Sequence, residues 1–213
     1  MTAAARLEPL RLMALPGEGA PGFDAHEQLL LVRDAATGLH AIIAIHSTHL
    51  GPAAGGVRRW TYASEAEAIT DALRLSRGMS YKNAMAGLAA GGGKAVVLAG
   101  APKTEALLEA FGEAVALLGG RYVTAEDVGM TEDDMTVVAR RTAHVAGLPV
   151  ANGAVGGNPG PFTARGVLAG LKAAVKHQLG RDDVRGLHVA IQGVGSVGGA
   201  LARALAAEGA RLT

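Results

Sequence analysis

The 213-residue sequence contains no cysteine. A disulfide framework and a thiolate metal site are excluded, and the composition fits a reducing compartment. Net charge is also nearly absent, at +1, so nothing in the balance points to nucleic acid or to an acidic membrane surface. No run of ~18 apolar residues exists to span a membrane. The start of the chain carries Glu8 and two prolines in place of the continuous apolar core of a signal peptide, so a soluble cytoplasmic protein is expected. The seven histidines lack the HExxH spacing or its equivalents, and no metal site is expected. What the chain has in quantity is apolar surface, with 49% hydrophobic and only 18% charged residues, which excludes general disorder. It is also rich in glycine, 31 residues, clustered in short loops rather than in a repeat. That pattern implies tight turns and places where a ligand meets the backbone.

In chain order, residues 1–25 read as a loosely structured lead-in. Gln28 to Arg33 and Leu39 to His46 are apolar runs joined by Asp34-Ala-Ala-Thr-Gly38, which predicts a β-hairpin. A Gly/Pro-rich loop follows, with Arg58 and Arg59 at its exit. Ser64 with Glu67 forms a capping box that opens a helix with Ile69, Ala72, Leu73 and Ser76 on its inner face, ending at Gly78. Ala95 to Ala99 reads as a buried strand. Thr104 caps a helix through Leu107, Leu108, Phe111, Val115 and Leu118, closed by Gly119-Gly120. Arg121 to Thr124 is a short strand that delivers Ala125-Glu126-Asp127 to its end, and Thr131 with Asp134 starts another helix. Gly147 to Gly160 is the expected domain boundary. Pro161 then opens a helix ending near Gly180, and Leu187 to Gln192 is a strand. Gly193 begins a turn into a further helix, and Leu212-Thr213 begins the next strand.

The chain is organised around Gly78 to Lys94, GMSYKNAMAGLAAGGGK. Its Gly-rich run before a lysine is not a phosphate-binding loop, because position 88 is Leu rather than Gly and position 95 is Ala rather than Ser or Thr. Lys82 follows a helix end and Tyr81; Lys94 follows three glycines and leads into an apolar strand. A triple glycine at such a place suggests that something approaches the backbone closely. A lysine there is desolvated, and a second lysine nearby lowers its pKa further, which is how lysine becomes a base near neutral pH. With Asp127 at a strand end, these residues can form an anion-binding point, a base and a proton partner. The alternative is three solvated charges, with Asp127 beginning a turn at Gly129.

The second constellation is Gly193-Val194-Gly195-Ser196-Val197-Gly198, a GxGxxG with a strand before it and a helix after it. In a dinucleotide fingerprint Gly195 lets the backbone approach a pyrophosphate at the helix N-terminus. The alternative is a tight strand-to-helix turn with no ligand. The acidic residue that selects between NAD and NADP lies about 20 residues further on, at or past Thr213.

These stretches, with Leu50-Gly-Pro-Ala-Ala-Gly-Gly56, Gly78-Met-Ser-Tyr-Lys-Asn-Ala84, Gly91-Gly-Gly-Lys94, Tyr122-Val-Thr-Ala-Glu-Asp127-Val-Gly129 and Gly157-Asn-Pro-Gly-Pro-Phe-Thr163, resemble the leucine/phenylalanine/valine dehydrogenase branch of the amino-acid dehydrogenases, relatives of glutamate dehydrogenase. The resemblance runs from about residue 26 to the end, in family order. It implies an α/β fold: an N-terminal α/β substrate-binding and catalytic domain over residues 1–146, then an incomplete Rossmann dinucleotide-binding domain over 147–213. It implies oxidative deamination of a branched-chain or aromatic L-amino acid to the 2-oxo acid and ammonia, with NAD as cofactor and NADP left open, in a homo-oligomer, dimer or octamer. Carried over by motif, Lys82 holds the substrate carboxylate, Lys94 is the catalytic base and Asp127 relays protons at the amino group. Gly55 and Gly56 line the substrate pocket, Asn158 and Thr163 contact the nicotinamide end, and Arg58 approaches the cofactor. Measured against that pattern the chain stops inside the cofactor domain, which gives the rival expectation: a truncated, non-catalytic fragment acting as an assembly or interaction module.

Overall fold

The apolar runs on either side of Asp34–Gly38 do fold as a hairpin. In the computed structural model, which describes residues 10–149 and 156–213, they are β2 (Gln28–Asp34) and β3 (Leu39–Ser47), paired antiparallel from Gln28↔Ile45 to Asp34↔Leu39. Asp34 builds the turn by accepting from Ala36 N and the Thr37 hydroxyl. The expected loose lead-in needs correcting: Arg11–Ala14 is β1, an edge strand antiparallel to β2. Its four residues pair through the backbone and bury little side chain, so no alternation marks it in the sequence. The rest of the lead-in, residues 1–9, lies outside the described residues.

β6 (Gly91–Leu98) is antiparallel to β3. On its other edge run two short strands in line, β4 (Ala53–Ala54) and β5 (Val57–Trp60), both parallel to it and separated by Gly55-Gly56. Beyond β4 lies β7 (Tyr122–Val123), also parallel. Alternation along the strands makes two cores. One face carries Leu30, Val32, Ile43, Ile45 and Val97 against α2 (Glu105–Ala116) and α3 (Glu132–Val138). The other carries Leu29, Leu31, Ile42 and Val96 against α1 (Glu65–Met85). Thr104 and Thr131 cap α2 and α3 as the sequence predicts, Thr131 in a full capping box with Asp134. At α1, Ser64 accepts from Glu67 N, but the Glu67 carboxylate reaches back to Ala63 N.

Two readings of the central stretch are corrected. α1 does not stop at Gly78; it runs through it to Met85, so Lys82 lies in its last turn rather than after its end. A single glycine weakens a helix by about 1 kcal/mol, and packing against β6 and β3 offsets that. The triple glycine is not a loop before a strand; it is the first part of β6, buried throughout. What approaches its backbone closely is the protein itself. A Cβ on Gly91 would strike the Ser47 carbonyl, one on Gly92 the Ser76–Ser80 turn of α1, and one on Gly93 the Tyr122 ring at 2.6 Å.

The chain divides into two compact units, Met1–Gly157 and Asn158–Thr213. The division falls inside the expected boundary segment, Gly147 to Gly160, though past the expected start of the second domain at residue 147; Ala146 N donates to Thr124 O at 2.7 Å and Gly157 N to Leu148 O at 2.9 Å. Residues 150–155 of the expected boundary lie outside the described residues. The second unit holds α4 (Gly160–Leu179), closed by Gly180 in the left-handed conformation, then β8 (His188–Val189), α5 (Ser196–Ala207) and β9 (Arg211–Leu212). β8 is shorter than the expected 187–192, and it pairs parallel with β9 across α5, so the strand–helix–strand order holds. Among the described residues no helix is long and apolar enough to cross a membrane.

Candidate active site

Lys94 sits in β6 on the α1 side of the sheet, two residues before Val96, and is only 5% exposed. Asp127 comes from the loop after β7, which Val57 N and Arg59 N fix by donating to Ala125 O and Val128 O. The Asp127 carboxylate meets the Lys94 ammonium, Oδ2 to Nζ, at 3.0 Å. The sequence-predicted pair is therefore brought together across the sheet.

Arg58 joins them. It lies opposite Val96 in the β5–β6 register, so its side chain shares the face of Lys94. Its Nε donates to Asp127 Oδ2 at 2.9 Å, the same oxygen that Lys94 meets. Its Nη1 donates to Asp71 Oδ2 at 3.0 Å. Asp71 also accepts from the Tyr62 hydroxyl at 2.8 Å and from Arg74 Nε at 2.9 Å. Neither Asp71 nor Tyr62 stood out in the sequence. The signal available was a carboxylate at a helical position between buried Ala68 and Ala72, a place where a charge needs a partner.

The charges move each other. Burial lowers the Lys94 pKa from the usual lysine value; Asp127 resists the fall, while Arg58 and Lys82 add to it. Lys82 is thus near enough for its charge to be felt at Lys94, although it is itself exposed. Burial pushes the Asp127 carboxyl up, but Lys94 and Arg58 together hold it below the usual range. Asp71 is likewise held low by Tyr62, Arg74 and Arg58 against the opposing effect of burial. The site is a buried lysine with half a counter-ion, since one carboxylate oxygen serves two cations.

Gly55 and Gly56 interrupt the β4–β5 line for a packing reason. A Cβ on Gly55 would strike the Gly93 carbonyl and come 2.9 Å from Met79 Cγ; one on Gly56 would come 2.5 Å from Glu126 O and 3.1 Å from Asp127 Cβ. The Tyr122 hydroxyl donates to Gly55 O at 2.7 Å and fixes the turn. Asn83, buried in the last turns of α1, donates its amide to Ala54 O at 3.2 Å and to Gly91 O, tying the Lys82 end of the helix to both strands. His46, beside the same loop, bonds Ser80 at 2.7 Å and packs edge-on to His26.

In the second unit, Gly193 has φ +87°, and a Cβ on Gly198 would strike the Gly193 carbonyl, so both are required by the turn. Gly195 is different: a Cβ there would meet nothing within 4 Å. It is the N-cap of α5, whose first turn receives no side-chain cap. Asn158 Nδ2 lies 2.9 Å from Ser196 Oγ, and Asn158 Oδ1 accepts from Gly160 N, so Asn158 is brought to the fingerprint. The Thr163 hydroxyl turns back within α4, to Pro159 O at 3.0 Å. Among the described residues no group of His, Asp or Glu is arranged to hold a metal ion.

Comparison with known proteins agrees on one family. The family model for the Glu/Leu/Phe/Val dehydrogenase dimerisation domain matches residues 26–144. Over 190 residues the chain is 54% identical to leucine dehydrogenase of Thermoactinomyces intermedius, covering 88% of this chain and 51% of that protein. It is also 54% identical over 190 residues to valine dehydrogenase of Streptomyces coelicolor, with 88% and 52% covered. Among solved structures, L-tryptophan dehydrogenase from Nostoc punctiforme superposes with a TM-score of 0.64 at 43% identity, over 88% of this chain and 52% of that one. A hetero-hexameric glutamate dehydrogenase from Thermus thermophilus, at 23% identity and TM-score 0.69 over 97% of this chain and 49% of that one, shares the fold. The chain spans about half the length of the curated relatives it matches. With more than half of its residues inside the family's domain and its motifs in order, the chain belongs to the Glu/Leu/Phe/Val dehydrogenase family.

Proposed function

We propose that this chain carries the substrate-binding and catalytic part of an L-amino-acid dehydrogenase, which oxidatively deaminates a branched-chain or aromatic L-amino acid to its 2-oxo acid and ammonia. The observation that carries the reading is the buried Lys94, 3.0 Å from an Asp127 carboxylate that Arg58 also claims. A structural ion pair of full strength would keep a lysine charged. This one is lowered by burial and by Arg58 and Lys82, which suits a group that must take up and release a proton. In this reading the exposed Lys82 ammonium binds the substrate carboxylate. Asp127, held as a carboxylate, receives a proton from the substrate amino group. Lys94 accepts the proton of the water that attacks the imine carbon, and returns it as ammonia leaves. Gly55 and Gly56 keep the backbone low beside these groups.

The residues of the second unit fit a dinucleotide. Gly195 has open space where a side chain would stand, and the first N–H groups of α5 have no side-chain partner, the setting that accepts a pyrophosphate. We assign it to a Rossmann-type dinucleotide unit that holds NAD, with NADP equally compatible, through Gly193 to Gly198 and Asn158, with Thr163 as a further contact. When bound, the nicotinamide supplies the hydride acceptor. Assembly as a homo-oligomer belongs to the same proposal, supported by the dimerisation domain named in the family match. The test is Lys94→Ala in the active enzyme. It should lower kcat by about 10²–10⁴-fold and leave dinucleotide affinity unchanged. Retention of more than about half of kcat would remove Lys94 from the mechanism.

A further inference from the structure

Asp71 stands one step behind the groups assigned to chemistry, on the inner face of α1 and 8% exposed. It is bonded on both oxygens. Oδ2 accepts from Arg58 Nη1 and the Tyr62 hydroxyl, and Oδ1 accepts from Arg74 Nε. A guanidinium is planar and rigid, so fixing Nη1 at Asp71 fixes the direction in which Nε points. That direction is toward Asp127 Oδ2, 2.9 Å away. The neighbouring Arg59 lies opposite Val97, on the other face of the sheet, and bonds Ala101 O; it cannot take over.

We infer that Asp71 is a positioning residue that holds Arg58 on Asp127, so that Asp127 divides its charge between two cations and Lys94 stays incompletely compensated. The inference rests on the dehydrogenase reading only in giving Lys94 a task; the geometry stands without it. The charged groups facing Lys94 are Asp127 from the loop after β7, Arg58 from β5 and Lys82 from α1. Those facing Asp71, besides Arg58, are Arg74 on α1 and the Tyr62 phenol before it. Lys94 Nζ and Arg58 Nε meet one oxygen at 3.0 and 2.9 Å, so they are no more than about 6 Å apart. Releasing Arg58 from Asp127 weakens that repulsion and returns the carboxylate to Lys94, and removing Arg58 abolishes the repulsion. The Lys94 midpoint should then rise by about one unit, the size of such a charge pair in a part-hydrated site.

The experiment is an NMR titration of lysine Nζ and Cε signals in the chain itself, with Lys94→Met identifying the Lys94 resonance. Arg58→Met should raise the Lys94 midpoint by about one unit, Asp71→Ala should raise it by less because the Arg58 charge stays in the site, and the double variant should rise no further than Arg58→Met alone. If Asp71→Ala does not fold, Asp71→Ser, which also leaves Arg58 without an anchor, is read in the same way. An unchanged or lowered midpoint overturns the inference. So does a rise that persists in the Arg58→Met background, because that is the signature of general loosening around Lys94. An unchanged titration beside full dehydrogenase activity removes Asp71's role alone. An inactive enzyme removes the functional reading and still leaves the titration to judge Asp71.

Discussion

Replacing Asp127 by asparagine keeps the shape of the side chain and removes the charge on which two cations converge. Lys94 is 5% exposed and sits 3.0 Å from the affected oxygen, so Asp127→Asn leaves a buried ammonium without its counter-ion. Breaking such a pair costs about 3–5 kcal/mol. There is also a ceiling, since Lys94 can release its proton; at pH 7, ~3.5 units below the ordinary lysine pKa, release costs about 5 kcal/mol. The pH dependence follows from the sign of the shift. Lys94 is already lowered in the native protein, and losing Asp127 lowers it further. The unfolded chain then holds a proton that the folded chain has shed, so the penalty is largest at low pH and fades as pH rises toward the ordinary lysine value. At pH 10 proton release costs less than about 1 kcal/mol. What remains is mainly the lost Arg58 contact, roughly 1 kcal/mol. Urea unfolding followed by fluorescence of Trp60, the single tryptophan, reports the first unit. The destabilisation should fall from about 3–5 kcal/mol at pH 7 to about 1–2 kcal/mol at pH 10. The same loss at both pH values would mean that Lys94 is not the uncompensated charge, and the account of the site given above would fail.

Lys82→Met in the active enzyme should raise KM for the amino acid by about one to two decades, the value of one charge-assisted contact, with cofactor affinity unchanged. Because Lys82 lowers the Lys94 pKa, the acid limb of the pH–rate profile should move upward; an unchanged KM together with an unchanged limb would make Lys82 an ordinary surface lysine. Gly195→Val should abolish dinucleotide binding by calorimetry without unfolding the chain, since a Cβ there meets no protein atom; undiminished affinity would reduce the fingerprint to a turn. Two glycines of the central stretch should respond with opposite signs in thermal unfolding. Gly93→Ala, 2.6 Å from the Tyr122 ring, should cost about 1–3 kcal/mol, whereas Gly78→Ala, inside α1 and in open space, should stabilise by about 0.5–1 kcal/mol.

The sequence by itself determined the local elements and the candidate chemistry. The apolar runs QLLLVR and LHAIIAIH, the Ser64, Thr104 and Thr131 caps, and the glycine turn before α5 are short-range signals, and they formed the hairpin, the helix starts and the turn into a helix. Lys94, Lys82 and Asp127 stood out because residue type and setting mark a charge in an unusual place. Three things were decided only by tertiary structure. α1 continues past Gly78 because the sheet beneath it repays the missing side chain, and no local propensity records that contact. Gly91 to Gly93 are strand rather than loop because Ser47, α1 and Tyr122 close on them from different parts of the chain. Arg58 is joined to Asp71 and Asp127 because the β5–β6 register sets it opposite Val96, beside Lys94 and under the buried face of α1. Register and packing are properties of segments meeting across the sheet, and a pattern along one strand says which face a side chain takes, not which charge it finds there.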